Sequence, residues 1–245
     1  MSRFFVSPAD IDGANIRVTD KRDIHHMTEV LRLGTGDEIT VSDSSGWDYI
    51  CEIESCAKDE IVCRICDKMK DTKEPLTRIT LFQGVPKGQK LDDTVRKTTE
   101  LGISCVVPVF MKRTVVKDNG SYSKKCDRFR AIALEASKQS GRGVVPEISD
   151  AVSFDEMTRM LERFDLVVFC YENEDKQTLK DVLRDLDEHP RTAALIIGPE
   201  GGFSDDEAEK LISAGCSPAS LGRTILRTET AGTAALAMML YELEL

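Results

Sequence analysis

The stretch from Ala193 to Ser204 constrains this chain most. Ala193–Ala194–Leu195–Ile196–Ile197 is an apolar run of strand length, Gly198–Pro199–Glu200–Gly201–Gly202 reads as a loop, and Phe203–Ser204 leads into a helix. Ser204 and Glu207 stand in the S-x-x-E capping-box spacing, which marks that helix start. An apolar strand without polar alternation is buried on both faces, as in a parallel sheet covered by helices. Ligands of such sheets sit at the carboxyl ends of the strands, where this loop places backbone N–H groups and small residues. A tight turn whose glycines only satisfy positive φ fits the same residues. The spacing matches neither the dinucleotide fingerprint nor the phosphate-binding P-loop, so neither a Rossmann cofactor nor ATP is indicated.

The same architecture extends upstream. Arg78–Gln83, Cys105–Phe110 and Leu166–Cys170 read as strands; helices are predicted near Lys90–Leu101, Ser123–Ser140, Thr178–Leu186, Ser204–Ala214 and Glu229–Leu243. Thr228 is the expected N-cap of the last, whose apolar face carries Leu236, Met239, Leu240 and Leu243. Alternating strands and helices predict an α/β domain with a mainly parallel sheet and helices on both faces, over residues 73–245. Residues 1–72 read differently. Short alternating strands at Asn15–Thr19, Glu38–Val41 and Asp48–Glu54, with turns at Gly34, Gly36, Gly46 and Asp59, predict a small closed β-barrel. One helix interrupts it from about Asp23 to Leu31, with Ile24, Met27, Val30 and Leu31 inward. The charged run Asp67–Pro75 reads as a linker.

Charge qualifies the choice of partner. The net charge of −10 argues against nucleic acid as a whole, but residues 1–72 carry −6, residues 73–145 carry +8 and residues 146–245 carry −12. The basic charge is concentrated in the middle third, so the overall sign rules out very little about partners. Eight cysteines would fit a secreted disulfide framework, yet the opening residues lack a signal-peptide core and no apolar run is long enough to span a bilayer. A reduced cytoplasmic home without membrane contact is expected, where the sequon Asn119–Gly120–Ser121 is a turn. Cys63 and Cys66 have C-x-x-C spacing with Cys51 and Cys56 nearby, but strand alternation sends the two to opposite faces, so no metal is expected. His25, His26 and His189 are near no serine or cysteine motif, which leaves a hydrolase triad unsupported.

The stretch Ser220–Thr233 holds two arginines, a glutamate and four threonines ahead of an Ala-rich helix. Taken with Gly198–Ser204, its Leu221–Gly222–Arg223–Thr224–Ile225–Leu226–Arg227–Thr228–Glu229–Thr230–Ala231 resembles the ribosomal small-subunit methyltransferase E family of the SPOUT superfamily. Lys87, Lys97, Glu100–Leu101–Gly102, Arg113–Thr114–Val115–Val116 and Glu135–Arg142 fall in that family's order, as do His26, Val30–Leu31–Arg32 and Gly36–Asp37. The resemblance covers nearly the whole chain. It implies an RNA-binding, PUA-like barrel, then a SPOUT domain ending in a deep trefoil knot, assembled as a homodimer. The implied activity is methylation of N3 of a uridine in 16S rRNA of the small ribosomal subunit, with S-adenosyl-L-methionine (SAM) as cofactor.

By the same resemblance the cofactor pocket comprises Gly198, Pro199, Glu200, Gly201 and Gly202 with Leu221, Gly222, Ile225, Leu226, Arg227 and Thr230. Leu195 and Ile197 lead into it, and Tyr171 and Glu172 complete its wall. Glycine backbone can approach adenine closely while leucine and isoleucine supply apolar walls. Methyl transfer needs positioning rather than a nucleophilic residue. Loss of the uridine N3 proton needs a base and a nearby cation. Arg227 is the first choice for the cation, with Arg142 or Arg113 as alternatives, and Glu200 or Glu229 for the base. Capping by Glu200, or pairing of Glu229 with an arginine, fits the same residues. Lys87, Lys97, Arg113, Lys138 and Arg142 are candidate RNA contacts within the basic middle. Two other functions stay open: a noncatalytic ribosome-assembly factor on this fold, and a methyltransferase acting on tRNA or another rRNA position.

Overall fold

The computed structural model describes the chain except Met1, Ser2, Asp71, Asp118, Asn119, Ser121 and Leu245, so the expected turn at Asn119–Ser121 lies largely outside the described residues. Two compact units form: Met1–Glu74 with Ser137–Val145, and Pro75–Ala136 with Pro146–Leu245.

The first unit is a six-stranded sheet: β1 (Arg3–Phe5), β2 (Ile11–Asp12), β3 (Asn15–Val18), β4 (Glu38–Ser42), β5 (Trp47–Cys56) and β6 (Ile61–Lys70). Its order is β1-β4-β5-β6-β3-β2, with β1 parallel to β4 and every other pair antiparallel. Inward side chains of this sheet, among them Ile16, Val18, Ile39, Val41, Ile53 and Ile61, build one core. The expected closure is not made by hydrogen bonds among the described residues: β1 and β2, strands of three and two residues, are the two ends of the order.

Three expectations shift here. Asp20 caps a helix α1 (Lys21–His25), accepting from the N–H groups of Arg22 at 2.8 Å and Asp23 at 3.3 Å, so the helix starts before Asp23. It passes into a π-helical turn, His26–Val30, closed by Leu31 N–H to His26 O at 2.9 Å. The wider turn rotates Val30 outward, leaving it 61% exposed, while Ile24 and Met27 keep the core face. The predicted linker begins later, because Asp67–Lys70 continue β6 opposite Trp47–Ile50, with the Lys68 ammonium 4.4 Å from the Trp47 ring centroid. Cys63 lies in the core and Cys66 is exposed. The segment 137–145 joins this unit through polar contacts: Ser42 donates to Gly143 O at 2.6 Å, Lys138 pairs with Asp23, and Arg142 with Glu74.

The second unit is built on β7 (Arg78–Gly84), β8 (Cys105–Phe110), β9 (Glu147–Ile148), β10 (Val152–Ser153), β11 (Leu166–Cys170), β12 (Thr192–Ile197) and β13 (Ser217–Ala219). Every pairing is parallel, in the order β10-β8-β7-β12-β11-β13, with β9 beside β8. The helices are α2 (Lys90–Leu101), α3 (Tyr122–Ser140), α4 (Phe154–Met160), α5 (Leu179–Arg184), α6 (Asp205–Ser213) and α7 (Thr228–Glu244); the last residues of α3 belong to the first unit. Phe82, Phe169, Ala194 and Ile196 pack with Met157 of α4 and Ala208 and Leu211 of α6. The alternate strand residues face the other side, where α7 packs on β7 and β12 and against α2 and α5. In register, Gln83, Ile197 and Cys170 lie side by side, so β7, β12 and β11 end level with one another.

Candidate active site

Beyond Ile197 the loop turns over the end of β7. Gly202 N–H donates to Pro199 O at 2.9 Å, with Gly202 at φ +66°, a left-handed conformation that glycine adopts without strain. A Cβ on Gly84 would lie 2.6 Å from Pro199 Cδ and 2.7 Å from the carbonyl carbon of Gly198. The loop therefore rests directly on β7, and only a residue without a side chain permits that approach. A Cβ on Gly202 would likewise meet the Glu172 carboxyl, 2.8 Å from its Cδ. The expected capping box forms at Ser204 and Glu207, and the Arg113 guanidinium donates to Gly201 O at 2.9 Å.

The second segment arrives from β13. Ser220 N–H donates to Gln177 O at 2.9 Å, Gly222 takes φ +129°, and α7 begins at Thr228. Between the segments lie two adjoining cavities, of about 470 and 430 Å³, sharing Cys170, Glu172, Ile225, Leu226 and Ala231 in their walls. The larger is also lined by Ile197 through Gly202 and by Lys90, Arg227 and Thr228; the smaller by Tyr171, Leu221 and Gly222. Two residues expected in the pocket stand elsewhere: Leu195 is buried in mid-sheet between Leu81 and Val168, and Thr230 is an exposed residue of α7.

Charge in the larger cavity is organised around Lys90. Its ammonium lies 2.9 Å from Glu200 Oε1 and 3.7 Å from Glu229 Oε2, and the hydrogen bond to Glu200 raises its pKa. Burial by itself would raise the Glu200 pKa, but the Lys90 hydrogen bond and the backbone N–H of Lys87, 3.0 Å away, hold it below the ordinary value. Glu229 Oε2 is buried and, among the described residues, has no hydrogen-bond partner. Burial also pushes the neighbouring Cys170 thiol up to about 12, so it stays protonated.

The candidate RNA contacts fall in both units. Lys97 is exposed on α2, and Lys87 reaches the cavity through its backbone N–H to Glu200. Arg113 holds the glycine loop, while Lys138 and Arg142 are paired within the first unit and line neither cavity. Three residues carry more than their sequence positions declare. Lys90 stood only among the many cations of the basic segment. Thr228 is the first residue of α7, and its hydroxyl bonds Gly198 O at 2.6 Å instead of capping. Gln83 is fully buried and donates to Thr228 Oγ1 at 2.8 Å. An amide in the otherwise apolar run Leu81–Phe82 was the available signal, since buried polar groups are the informative exceptions.

A family model described as the RNA methyltransferase domain matches residues 72–240, and one described as the RNA methyltransferase PUA domain matches 18–66. A ribosomal RNA small subunit methyltransferase E of Bacillus subtilis is 34% identical over 254 residues, covering 100% of this chain and 98% of the relative. The chain belongs to the ribosomal RNA small subunit methyltransferase E family. Its Neisseria gonorrhoeae member, solved bound to S-adenosyl methionine, is 27% identical with a TM-score of 0.84, covering 98% of this chain and 97% of that one. A methyltransferase of Legionella pneumophila, solved with SAM bound, is 30% identical with a TM-score of 0.84 over 98% and 96% of the two chains. In this member of the methyltransferase E family, the two cavities lie where the strands of the parallel sheet end.

Proposed function

We propose that this protein transfers the methyl group of SAM to N3 of a uridine in 16S rRNA of the small ribosomal subunit. One observation carries the reading: segments 197–202 and 221–228 meet beyond β7, β11 and β12 and enclose adjoining cavities of about 470 and 430 Å³. The residues fit SAM. Ile225 and Leu226 supply apolar wall, glycine backbone allows close approach, and the buried Glu229 Oε2 is an acceptor awaiting a donor. Bound there, SAM supplies an electrophilic methyl group on a sulfonium.

The chain's own residues then have distinct tasks. Arg227 places an exposed guanidinium at the larger cavity, where it stabilises negative charge developing on the uracil ring. Glu229 is favoured over Glu200 as proton acceptor, because Glu200 is committed to Lys90 and to the Lys87 N–H and is the weaker base for it. Arg142 and Arg113 recede from this role, the first held by Glu74 and the second by Gly201 O. Residues 1–72 serve as an RNA-binding PUA-like module, and residues 73–245 as the SPOUT domain, with the chain around 198–228 passing through a trefoil knot. The proposed homodimer agrees with exposed Met238 and Tyr241, three residues apart on α7. The proposed site of action is the cytoplasm; among the described residues no helix is long and apolar enough to cross a membrane.

Labelled SAM offered with assembled small subunits, naked 16S rRNA and tRNA tests the substrate. Label in 16S rRNA supports the reading. Label in tRNA alone would move the substrate, and no transfer with intact RNA binding would favour a ribosome-assembly factor.

A further inference from the structure

The two walls of the cavity come from chain segments far apart in sequence, and one side chain fastens them. Thr228 Oγ1 lies 2.6 Å from Gly198 O and 2.8 Å from Gln83 Nε2. A threonine hydroxyl has one proton, and Gly198 O can only accept, so the proton points at Gly198. Gln83 must then donate its amide proton to the hydroxyl lone pair. The same Nε2 also donates to Gly84 O at 3.2 Å, which fixes which end of the amide faces Thr228. Gln83 has 0% exposure and Thr228 6%, so no water competes freely for these bonds. The chain of donors therefore has one direction, from the end of β7 through the first residue of α7 to the first residue of the glycine loop.

We propose that Thr228, oriented by Gln83, is a positioning residue for the cofactor pocket: its hydroxyl ties the 198–202 loop to the 221–228 segment and sets the gap in which the cofactor lies. The proposal rests on reading that cavity as the SAM site. Gly198 has no side chain to anchor it, and Gly232, one turn into α7, packs against Gln83, where a Cβ would stand 2.9 Å from Oε1. The same amide thus touches both the latch and the helix carrying it. Without the hydroxyl, Gly198 O and Gln83 Nε2 lose their shared partner, and the loop keeps its contact with β7 while losing this direct bond to α7. The pocket would then have to be assembled by the ligand at the cost of affinity.

Calorimetric titration with SAM on the full chain, at a temperature where every variant is folded, tests this. Thr228→Val, which keeps shape and removes the hydroxyl, should weaken binding by about tenfold, and Thr228→Ser should restore it to within about threefold of the parent. Gln83→Glu provides a second variant: an acceptor at that position draws the Thr228 proton away from Gly198 and should weaken binding similarly. A purely structural contact would lower the unfolding midpoint while leaving the dissociation constant of the folded protein unchanged. Parental affinity in folded Thr228→Val, or in folded Gln83→Glu should the valine variant not fold, overturns the latch alone. Failure of the parent protein to bind SAM would overturn the cofactor reading itself.

Discussion

The Lys90 ammonium and the Glu200 carboxylate meet at 2.9 Å in the wall of the larger cavity. The contact joins the start of α2 to the glycine loop and leaves Glu229, 3.7 Å from the same ammonium, as the less committed carboxylate. This asymmetry separates two acids that the sequence presents as equals.

Removing the cation gives the contact a signature in pH. Glu200 has its pKa held below about 4.5 in the fold, so its ionisation contributes stability above the ordinary carboxylate range. That contribution disappears as pH falls through the lowered folded value. Lys90→Met should therefore cost about 0.2–1 kcal/mol at neutral pH, and the gap to the parent should narrow on acidification. Urea unfolding of both proteins across the acid range checks the sign; a gap that widens toward low pH would contradict it.

Gly84 should not tolerate a side chain. The atoms a Cβ would meet include Gly198 backbone and the Pro199 ring, which cannot swing aside as a flexible side chain does. Gly84→Ala should cost about 1–3 kcal/mol and weaken SAM binding by displacing the loop. Gly34→Ala is the control, since nothing lies within 4 Å of its Cβ position and its φ is not positive. Denaturant midpoints that shift equally for the two would contradict the close approach.

Arg142 should behave as a structural cation. Its side chain is 8% exposed and its guanidinium engages both oxygens of Glu74, with the Nε bond at 3.1 Å. Arg142→Met should cost about 3 kcal/mol by stranding a partly buried carboxylate, and Glu74→Gln should weaken the same unit. Parental stability in Arg142→Met together with lost methylation would return this residue to the chemistry.

Lys97 is where the electrostatic account of RNA binding can be measured. It is exposed on α2, whereas Lys138 is half-buried and paired with Asp23. Lys97→Ala should reduce the slope of log affinity against log salt by about 1. Lys138→Met should act mainly on unfolding. An unchanged slope for Lys97→Ala would remove Lys97 from the phosphate contacts.

Local signals in the sequence were strong where backbone chemistry dictates geometry. The apolar run before Gly198, the Ser204–Glu207 capping box and the 90–101 helix are all written in neighbouring residues and are found at those positions. What stayed hidden depends on partners distant in the chain. Arg142 meets Glu74 across 68 residues, Thr228 meets Gly198 across 30, and Gln83 meets Thr228 across 145. The basic middle segment illustrates the consequence. Its +8 treats every cation as available, yet Arg130 binds Asp127 and Asp150, Arg128 binds Asp92, and Lys112 binds Asp206. Leu195 shares a face with Ile197 but lies in the middle of β12, buried beside Leu81 and Val168, whereas Ile197, at the strand's end, reaches the cavity.

Nucleoside analysis of 16S rRNA from small subunits incubated with SAM and the purified protein tests the central claim most directly. The account predicts one new 3-methyluridine per rRNA, and a reverse-transcription stop beside it because N3 methylation blocks the Watson–Crick edge. A methyl group on another atom, on a base other than uracil, or on ribose would contradict it.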